Sequence, residues 1–402
     1  MSPTLPIGFS TSTAAALALC CVAACGAFAA SGESGSAGTP DGSVESGADG
    51  AVIDASSPDS PACNGADLAS DTKNCGACGH ACAFGSCMGG LCQAVPLVEG
   101  RPVLGDIVTD GLHVYWAESG ALVRCSVSGC ASPEPVATTT FATSSPATLA
   151  LGPAKIFWVD GTTKSVLSCP LAGACAPSAV LSVGSGAPLV SLTASAVSVF
   201  AGQPGAQSLL QAPLDGGAPS TAFGSGAFPW RLANRGGVVV WADLGGGDGN
   251  QPGHWITKFI EPAWIGGPPF AQVQLLDRPM AVAAGASGTI YSLGSPPVNG
   301  PKPQLHRHAV ADLQDKGTIE VPGVVAPTAF ALALAPDSTA DVLYGALGDG
   351  SGGIVFEYRS DTGALRVLAT GLASPHGIAV DAQSVYFTQV NGASGSVMRI
   401  AR

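Results

Sequence analysis

From residue 101 onward one pattern recurs seven times: an apolar pair, a turn of Asp, Gly, Ala or Pro, then an apolar-aromatic doublet that a carboxylate often follows. Residues Ile107–Glu118 (IVTDGLHVYWAE), Leu149–Asp160 (LALGPAKIFWVD) and Leu232–Asp243 (LANRGGVVVWAD) align without a gap, and Ile378–Gln389 (IAVDAQSVYFTQ) is the last copy. Weaker copies lie at Leu192–Gln203, Val282–Leu293 and Leu332–Gly345. The copies start 40 to 50 residues apart, and each holds four short β-like runs separated by turn residues. A period of that length built from four strands is that of a propeller blade. Helical periodicity is absent, and the repeats are too long and too regular for a β-sandwich or a solenoid.

The last copy is one strand short. Complete copies end in a run such as Arg366–Gly371 or Pro135–Thr138, whereas the final one has Ser396–Ala401 and no fourth run. Gln93–Gly100 (QAVPLVEG) has the missing form and precedes the first full copy. An N-terminal strand that completes the last blade removes the open edges of the ring. The expected fold class is therefore all-β. Residues 93–402 form a seven-bladed β-propeller closed by an N-terminal strand, preceded by a small disulfide-rich module and a disordered tether.

The N-terminal segment, residues 1–92, differs in kind. Residues 1–25 contain the apolar run Ala14–Cys25, which ends in small residues as an export signal does. Residues 26–62 are rich in Gly, Ser, Asp and Pro and carry acidic charge without Lys or Arg, a composition that cannot bury enough surface to offset its ordering entropy. Residues 63–92 hold Cys63, Cys75, Cys78, Cys82, Cys87 and Cys92, six cysteines in a segment too small for a core of its own. Two further pairs sit in hairpin positions, Cys125 with Cys130 and Cys169 with Cys175; in the third repeat Ala212 stands where Cys169 does, and no later cysteine follows. The cysteines of each pair are present or absent together, as partners should be. With Cys20 and Cys21 leaving with the signal, ten cysteines remain beside Cys25, an even number suited to five disulfides in an exported protein. Their connectivity within residues 63–92 is open. Zinc at Cys75, Cys78, Cys82 and His80 is the competing reading, disfavoured by the even count and an oxidising compartment.

Several stretches resemble known families. Val22–Gly26 resembles a bacterial lipobox, which implies lipidation at Cys25; cleavage after Ala29 is the alternative. The Asp-x-x-Asn-Cys-Gly-x-Cys-Gly-x-x-Cys run ending at Cys82 resembles the cysteine-rich modules of Stig1-like secreted proteins. The tetrapeptides Tyr115–Glu118, Phe157–Asp160 and Val240–Asp243, with Pro375–Asp381, resemble YWTD and NHL-type propeller repeats. The combination resembles secreted myxobacterial proteins, and it implies an outer-membrane lipoprotein, periplasmic or at the cell surface, or a secreted protein.

Chemistry is sparse. The chain carries 16 Lys and Arg against 28 Asp and Glu, with no basic cluster, so nucleic acid is not an expected partner. No Gly-x-Ser-x-Gly elbow occurs, and Gly348–Gly353 lies between two strands, where it is a turn. Pro375–Ile378 resembles the Pro-His-Gly-Ile motif of propeller lyases of the virginiamycin B lyase type, which implies a place for His376 near a central channel with histidines and metal ions around it. Its counterparts in the first two repeats are Gly105 and Ala147, which can neither ligate a metal nor move a proton. His306 and His308 share one face of a strand, read as an exposed polar face. Glu118, Asp160 and Asp243 recur in one register, where they are expected to bond turn backbone groups. The longest repeats carry extra residues beside Trp255 and Trp264, two candidate contacts for a sugar ring or a peptide, and packing between blades competes for both.

The reading is an exported binding or scaffold protein for a protein, polysaccharide or small-molecule ligand, touching a membrane through its lipid anchor only. No catalytic residue, metal or cofactor is assigned. A metal-dependent lyase or hydrolase acting at the channel is the alternative.

Overall fold

The computed structural model describes residue 63 and residues 65–402, apart from 142–147, 185, 225, 227, 244–253, 261–269, 276–277, 296–301, 325–326, 337–338, 350–351 and 392–393. The apolar N-terminal run, Cys25, the acidic tether and Trp264 lie outside the described residues. Among the described residues no helix is long and apolar enough to cross a membrane.

Seven four-stranded antiparallel sheets follow one another along the chain. Their innermost strands are Val103–Thr109, Leu149–Leu151, Ser191–Ala194, Pro229–Arg235, Arg278–Ala284, Ala329–Leu334 and Pro375–Val380. Each sequence repeat begins within one of them. The seventh blade takes its outermost strand, Val95–Arg101, from the N-terminal side, paired antiparallel with Ser394–Ala401. The strand that the last repeat lacks is thus the one that closes the ring.

Local chemistry turns the chain where strands one and two meet. In blade 1 Asp110 Oδ1 accepts from the amides of Leu112 (2.8 Å) and His113 (2.6 Å), and Oδ2 accepts from the Tyr115 hydroxyl (2.9 Å). Asp381 repeats this in blade 7 with Gln383, Ser384 and Tyr386. In blade 3 Ser195 Oγ accepts from Val197 and Ser198. A short side-chain acceptor that mimics a backbone turn fixes the hairpin register.

The aromatic doublets of the second strands then join the blades. Successive side chains of a strand point to opposite faces, so neighbours in a doublet serve different interfaces. Trp116 packs with Ala379, Tyr386 and Val397 of blade 7, whereas Tyr115 packs with Ile156 and Trp158 of blade 2. Phe157 continues toward Leu192 and Val199 of blade 3, and Trp241 packs on Phe200. Trp116, Trp158 and Trp241 are all fully buried.

Five disulfides are present: Cys63–Cys78, Cys75–Cys87, Cys82–Cys92, Cys125–Cys130 and Cys169–Cys175. The last two crosslink strand three to strand four in blade 1, and strand three to the connection that follows it in blade 2. The small module packs Cys75, Cys87 and Cys92 into one cluster with Leu368, Leu372 and Ile400 of blades 6 and 7.

The carboxylates at the ends of the second strands are satisfied within the protein. Asp160 accepts from the Thr163 amide and hydroxyl (2.7 and 2.8 Å), the Thr139 hydroxyl (2.7 Å) and the Thr140 amide. Asp243 accepts from the Phe228 amide (3.0 Å). Glu118 takes Trp116 Nε1 and a bidentate Arg101. His306 and His308 differ from the exposed face expected of them. They are 9% and 2% exposed and stack with centroids 6.3 Å apart, because the third strand of blade 5 is covered on that face.

The closing strand can be tested directly. Deleting residues 93–100, or placing a carboxylate in the Val397, Trp116 and Tyr386 cluster through Leu97→Asp, is expected to lower Tm and promote aggregation. A Tm equal to that of the intact protein would show that the ring does not depend on this strand.

Candidate functional site: the central channel

The seven inner strands surround a channel of about 300 Å³. Its wall is mostly small and apolar, with Ala150, Ala194, Ala233, Ala281 and Leu332 among the lining residues. Two charged residues interrupt it, Asp106 from blade 1 and Arg231 from blade 4. Both immediately precede the first residue of a repeat, Ile107 and Leu232, so they occupy the same register on different blades.

Strand irregularities aim these side chains. Pairing skips between Val103 and Ile107 in blade 1, Pro229 and Arg231 in blade 4, and Pro375 and Ile378 in blade 7. Such bulges redirect side chains and break the simple alternation of faces. Blades 7 and 1 approach so closely here that only glycine fits. A Cβ on Gly377 would stand 2.0 Å from the Gly105 carbonyl oxygen, and Gly105 itself has φ of +110°. Thr388 bridges the seam, donating to the Gly105 carbonyl at 2.5 Å and accepting from the Gly377 amide at 2.9 Å.

Asp106 is held by backbone. Its Oδ2 accepts from the amides of Thr148 and Leu149, both at 2.6 Å, and Oδ1 from Ile107 at 3.1 Å. Burial pushes its carboxyl above the ordinary range, against the opposing effects of Arg231 and these amides. Arg231 crosses from blade 4 to donate to the Phe330 carbonyl of blade 6 at 3.1 Å, and its Nε has no hydrogen-bond partner among the described residues. Part of the side chain remains accessible from the lumen, yet protein surrounds it, and this poor solvation pushes its pKa down to about 10 in spite of Asp106. It is still a cation at neutral pH.

His376 lies beside this pair on the bulged stretch of blade 7. Its Nδ1 donates to the Ser374 carbonyl at 2.6 Å, which leaves the lone pair on Nε2. Burial pushes its pKa down; the Ser374 carbonyl opposes this and Arg231 adds to it. Asp106 and Arg231 escaped the sequence comparison because it followed the register of His376, which meets Gly105 and Ala147. The signal was one residue further on, an arginine between Trp230 and Leu232 in a chain with few basic residues.

A divalent cation of the kind implied by the likeness to propeller lyases does not fit these residues. The oxygens of Asp106 already serve three amides, and a guanidinium stands beside them, which opposes a second cation. Among the described residues one group of three His, Cys, Asp or Glu ligand atoms comes together, Cys75, Cys82 and Cys92, and all three sulfurs are in disulfides.

The extra residues of the longest repeats, 244–253 and 296–301, lie outside the described residues. The strand ends that flank them, Asp243, Ser295 and Gln304, are on the channel-mouth side of blades 4 and 5, where Pro229 pairs with Asp243 and Arg278 with Ser295. Trp255 pairs with Asp243 and shares that end of blade 4. The strand ends flanking Trp264, Ile260 and Phe270, are at the other end, where Ile260 pairs with Val238.

No family model matches the chain, and no curated protein matches it. Among solved structures, virginiamycin B lyase from Staphylococcus aureus aligns with a TM-score of 0.55 at 10% identity, covering 77% of this chain and 98% of that one. A catalytically inactive histidine-to-alanine variant of that enzyme with quinupristin gives the same values. A streptogramin B lyase aligns with a TM-score of 0.54 at 12% identity over 75% of this chain and 97% of that one. At these identities the likeness is one of fold.

Two imidazoles, His308 buried and His376 half-buried, predict a pH response. His376 and His308 are both pushed below the ordinary 6.5, chiefly by burial, so the unfolded chain protonates first as pH falls. Their stabilising contribution is present above pH 6.5 and is lost on acidification. Each costs up to about 1.4 kcal/mol per pH unit until its folded-state pKa is reached. Denaturation followed from pH 8 to 5 should show this fall, and His376→Asn should flatten it; an unchanged slope would contradict the assignment.

Proposed function

We propose that this chain is an exported β-propeller binding protein that takes up a ligand with an anionic group at the mouth of its channel. The observation that carries the proposal is Arg231. It is a cation in a channel walled mostly by small side chains, with no ion pair among the described residues and an unpartnered Nε. A poorly solvated guanidinium gains more from a carboxylate, sulfate or phosphate than an exposed one does. His376 supplies an acceptor at Nε2. Export is supported by the apolar run at residues 14–25 and by five disulfides, which persist in oxidising compartments. Lipid on Cys25 then tethers the propeller through the acidic segment to a membrane.

Three experiments test this. Immobilised full-length protein should retain members of an array of uronic and sulfated oligosaccharides and acidic peptides in preference to neutral ones. Arg231→Gln should abolish that retention. Retention unaffected by the substitution would remove the channel from the proposal. Conversion of quinupristin detected by mass spectrometry and lost in His376→Ala would replace binding with catalysis. For the anchor, Cys25→Ser should abolish acylation in the producing cell and leave the fold intact. A native protein beginning at Ala30 would contradict lipidation.

A further inference from the structure

Blades 1, 5 and 7 share a cross-strand pair in which a buried tyrosine of the second strand faces an arginine of the third. Tyr115 faces Arg124, Tyr291 faces Arg307, and Tyr386 faces Arg399. Because the blades are repeats, each arginine serves as a reference for the others. Arg124 is gripped by both oxygens of Glu134 on the fourth strand, at 3.0 Å each. Arg399 lies 3.6 Å from the centroid of the Phe84 ring and donates to the Val127 carbonyl.

Arg307 has no carboxylate partner of the kind Arg124 has, and its aromatic neighbour is more distant than that of Arg399, the Tyr358 ring with its centroid 5.9 Å away. Where blade 1 places Glu134 opposite its arginine, blade 5 places Gly317. That glycine holds φ of +104°, and a Cβ on it would stand 2.8 Å from Arg307 Nη2. The guanidinium donates to neutral oxygens: the Tyr358 hydroxyl at 3.0 Å and the carbonyls of Lys316 and Gly317 at 2.8 and 3.3 Å. Beside it, Lys316 Nζ donates to the Thr289 hydroxyl at 3.0 Å. None of the ion pairs among the described residues includes either cation. The nearby Asp341 carboxylate is taken up by the amides of Ala286 and Ser287 and by the hydroxyls of Ser287 and Tyr291.

These groups enclose a pocket of about 260 Å³ between blades 5 and 6. Hydroxyls complete its wall, from Ser287, Thr289, Ser360, Tyr291 and Tyr358; those of Ser287 and Tyr291 donate to Asp341, whereas those of Thr289 and Tyr358 accept from Lys316 and Arg307 and keep their own protons for a ligand. Two cations side by side repel unless an anion joins them, and hydroxyls are the donors that complete the coordination of a multi-oxygen anion. We propose that this pocket binds a tetrahedral oxyanion, the phosphate or sulfate of a free ion or of an ester, with Arg307 and Lys316 supplying the charge. Its residues lie on the strand ends next to the first and third turns of the blade, the opposite end from the channel mouth. The site is therefore independent of Arg231.

Titration calorimetry of the full chain at pH 7.5 with sodium phosphate, sodium sulfate and methyl phosphate, each against sodium chloride at equal ionic strength, tests the site. Saturable binding of phosphate or sulfate is expected. Made in an Arg231→Gln background, which removes any heat from the channel, Arg307→Gln and Lys316→Gln should each weaken it at least tenfold, whereas Arg124→Gln in that background should bind as the unsubstituted background does. Should Arg307→Gln fail to fold, the exposed Lys316 decides. Equal affinity for methyl phosphate and phosphate supports an ester ligand; strong preference for the free ion supports the ion. Heat no greater than that of chloride, or wild-type affinity in Lys316→Gln, would overturn the proposal.

Discussion

Every blade is a four-stranded sheet with two apolar faces, and its own sequence covers neither. The aromatic doublets state this requirement: Tyr115 and Trp116 are adjacent in sequence, yet each is buried against a different neighbouring blade. Removing one such side chain would cost about 3 to 5 kcal/mol, because its cavity would open between two sheets that cannot shift independently. A row of blades would therefore expose one apolar face at each end. Closing the ring covers both, and the channel is the space that remains where seven inner strands meet.

Much of this was legible because period and register are carried by side-chain type. The gapless alignment of Ile107–Glu118 with Leu149–Asp160 and Leu232–Asp243 located the inner strands, and the missing run after Ala401 pointed to Gln93–Gly100. What the sequence concealed depends on small departures from the repeat. His306 and His308 read as a polar face because alternation marks which residues share a side, while the packing of neighbouring blades decides whether that side is covered. Asp106 was concealed by bulges, which shift the lumen-facing position by a residue without altering the apolar pattern. The pairing of the six cysteines in residues 63–92 rests on contacts with no periodic signature.

Scarcity makes the departures informative. Many charged groups among the described residues are consumed locally: Asp110 and Asp381 build turns, Glu118 neutralises Arg101, and Glu134 neutralises Arg124. These are the ordinary uses of charge in a β-scaffold, and they recur from blade to blade. Arg231 does not follow the repeat, since its counterparts are Thr148, Ser191, Ala281, Ala331 and Gly377, with Asp106 as the one oppositely charged member. A scaffold that needed only a filled channel would be served by the alanines and serines used elsewhere. The charge pair thus breaks the sevenfold equivalence of the ring at its axis, where a ligand would meet several blades at once.

The crosslinks address the weakest step of assembly. Closure joins chain segments that are almost the whole propeller apart in sequence, so the strand Val95–Arg101 must surrender considerable freedom to dock on Ser394–Ala401. The disulfide Cys82–Cys92 ends three residues before that strand begins, and Cys87 and Cys92 lie in the cluster formed with Leu368, Leu372 and Ile400. The module therefore holds the start of the closing strand against blades 6 and 7 through an apolar contact of its own. Its crosslinks limit the entropy lost on docking, much as each short hairpin disulfide in blades 1 and 2 contributes about 2 kcal/mol by restricting the unfolded chain. In this arrangement the cysteine-rich segment is part of the closure, and the stability of the ring is tied to an oxidising environment.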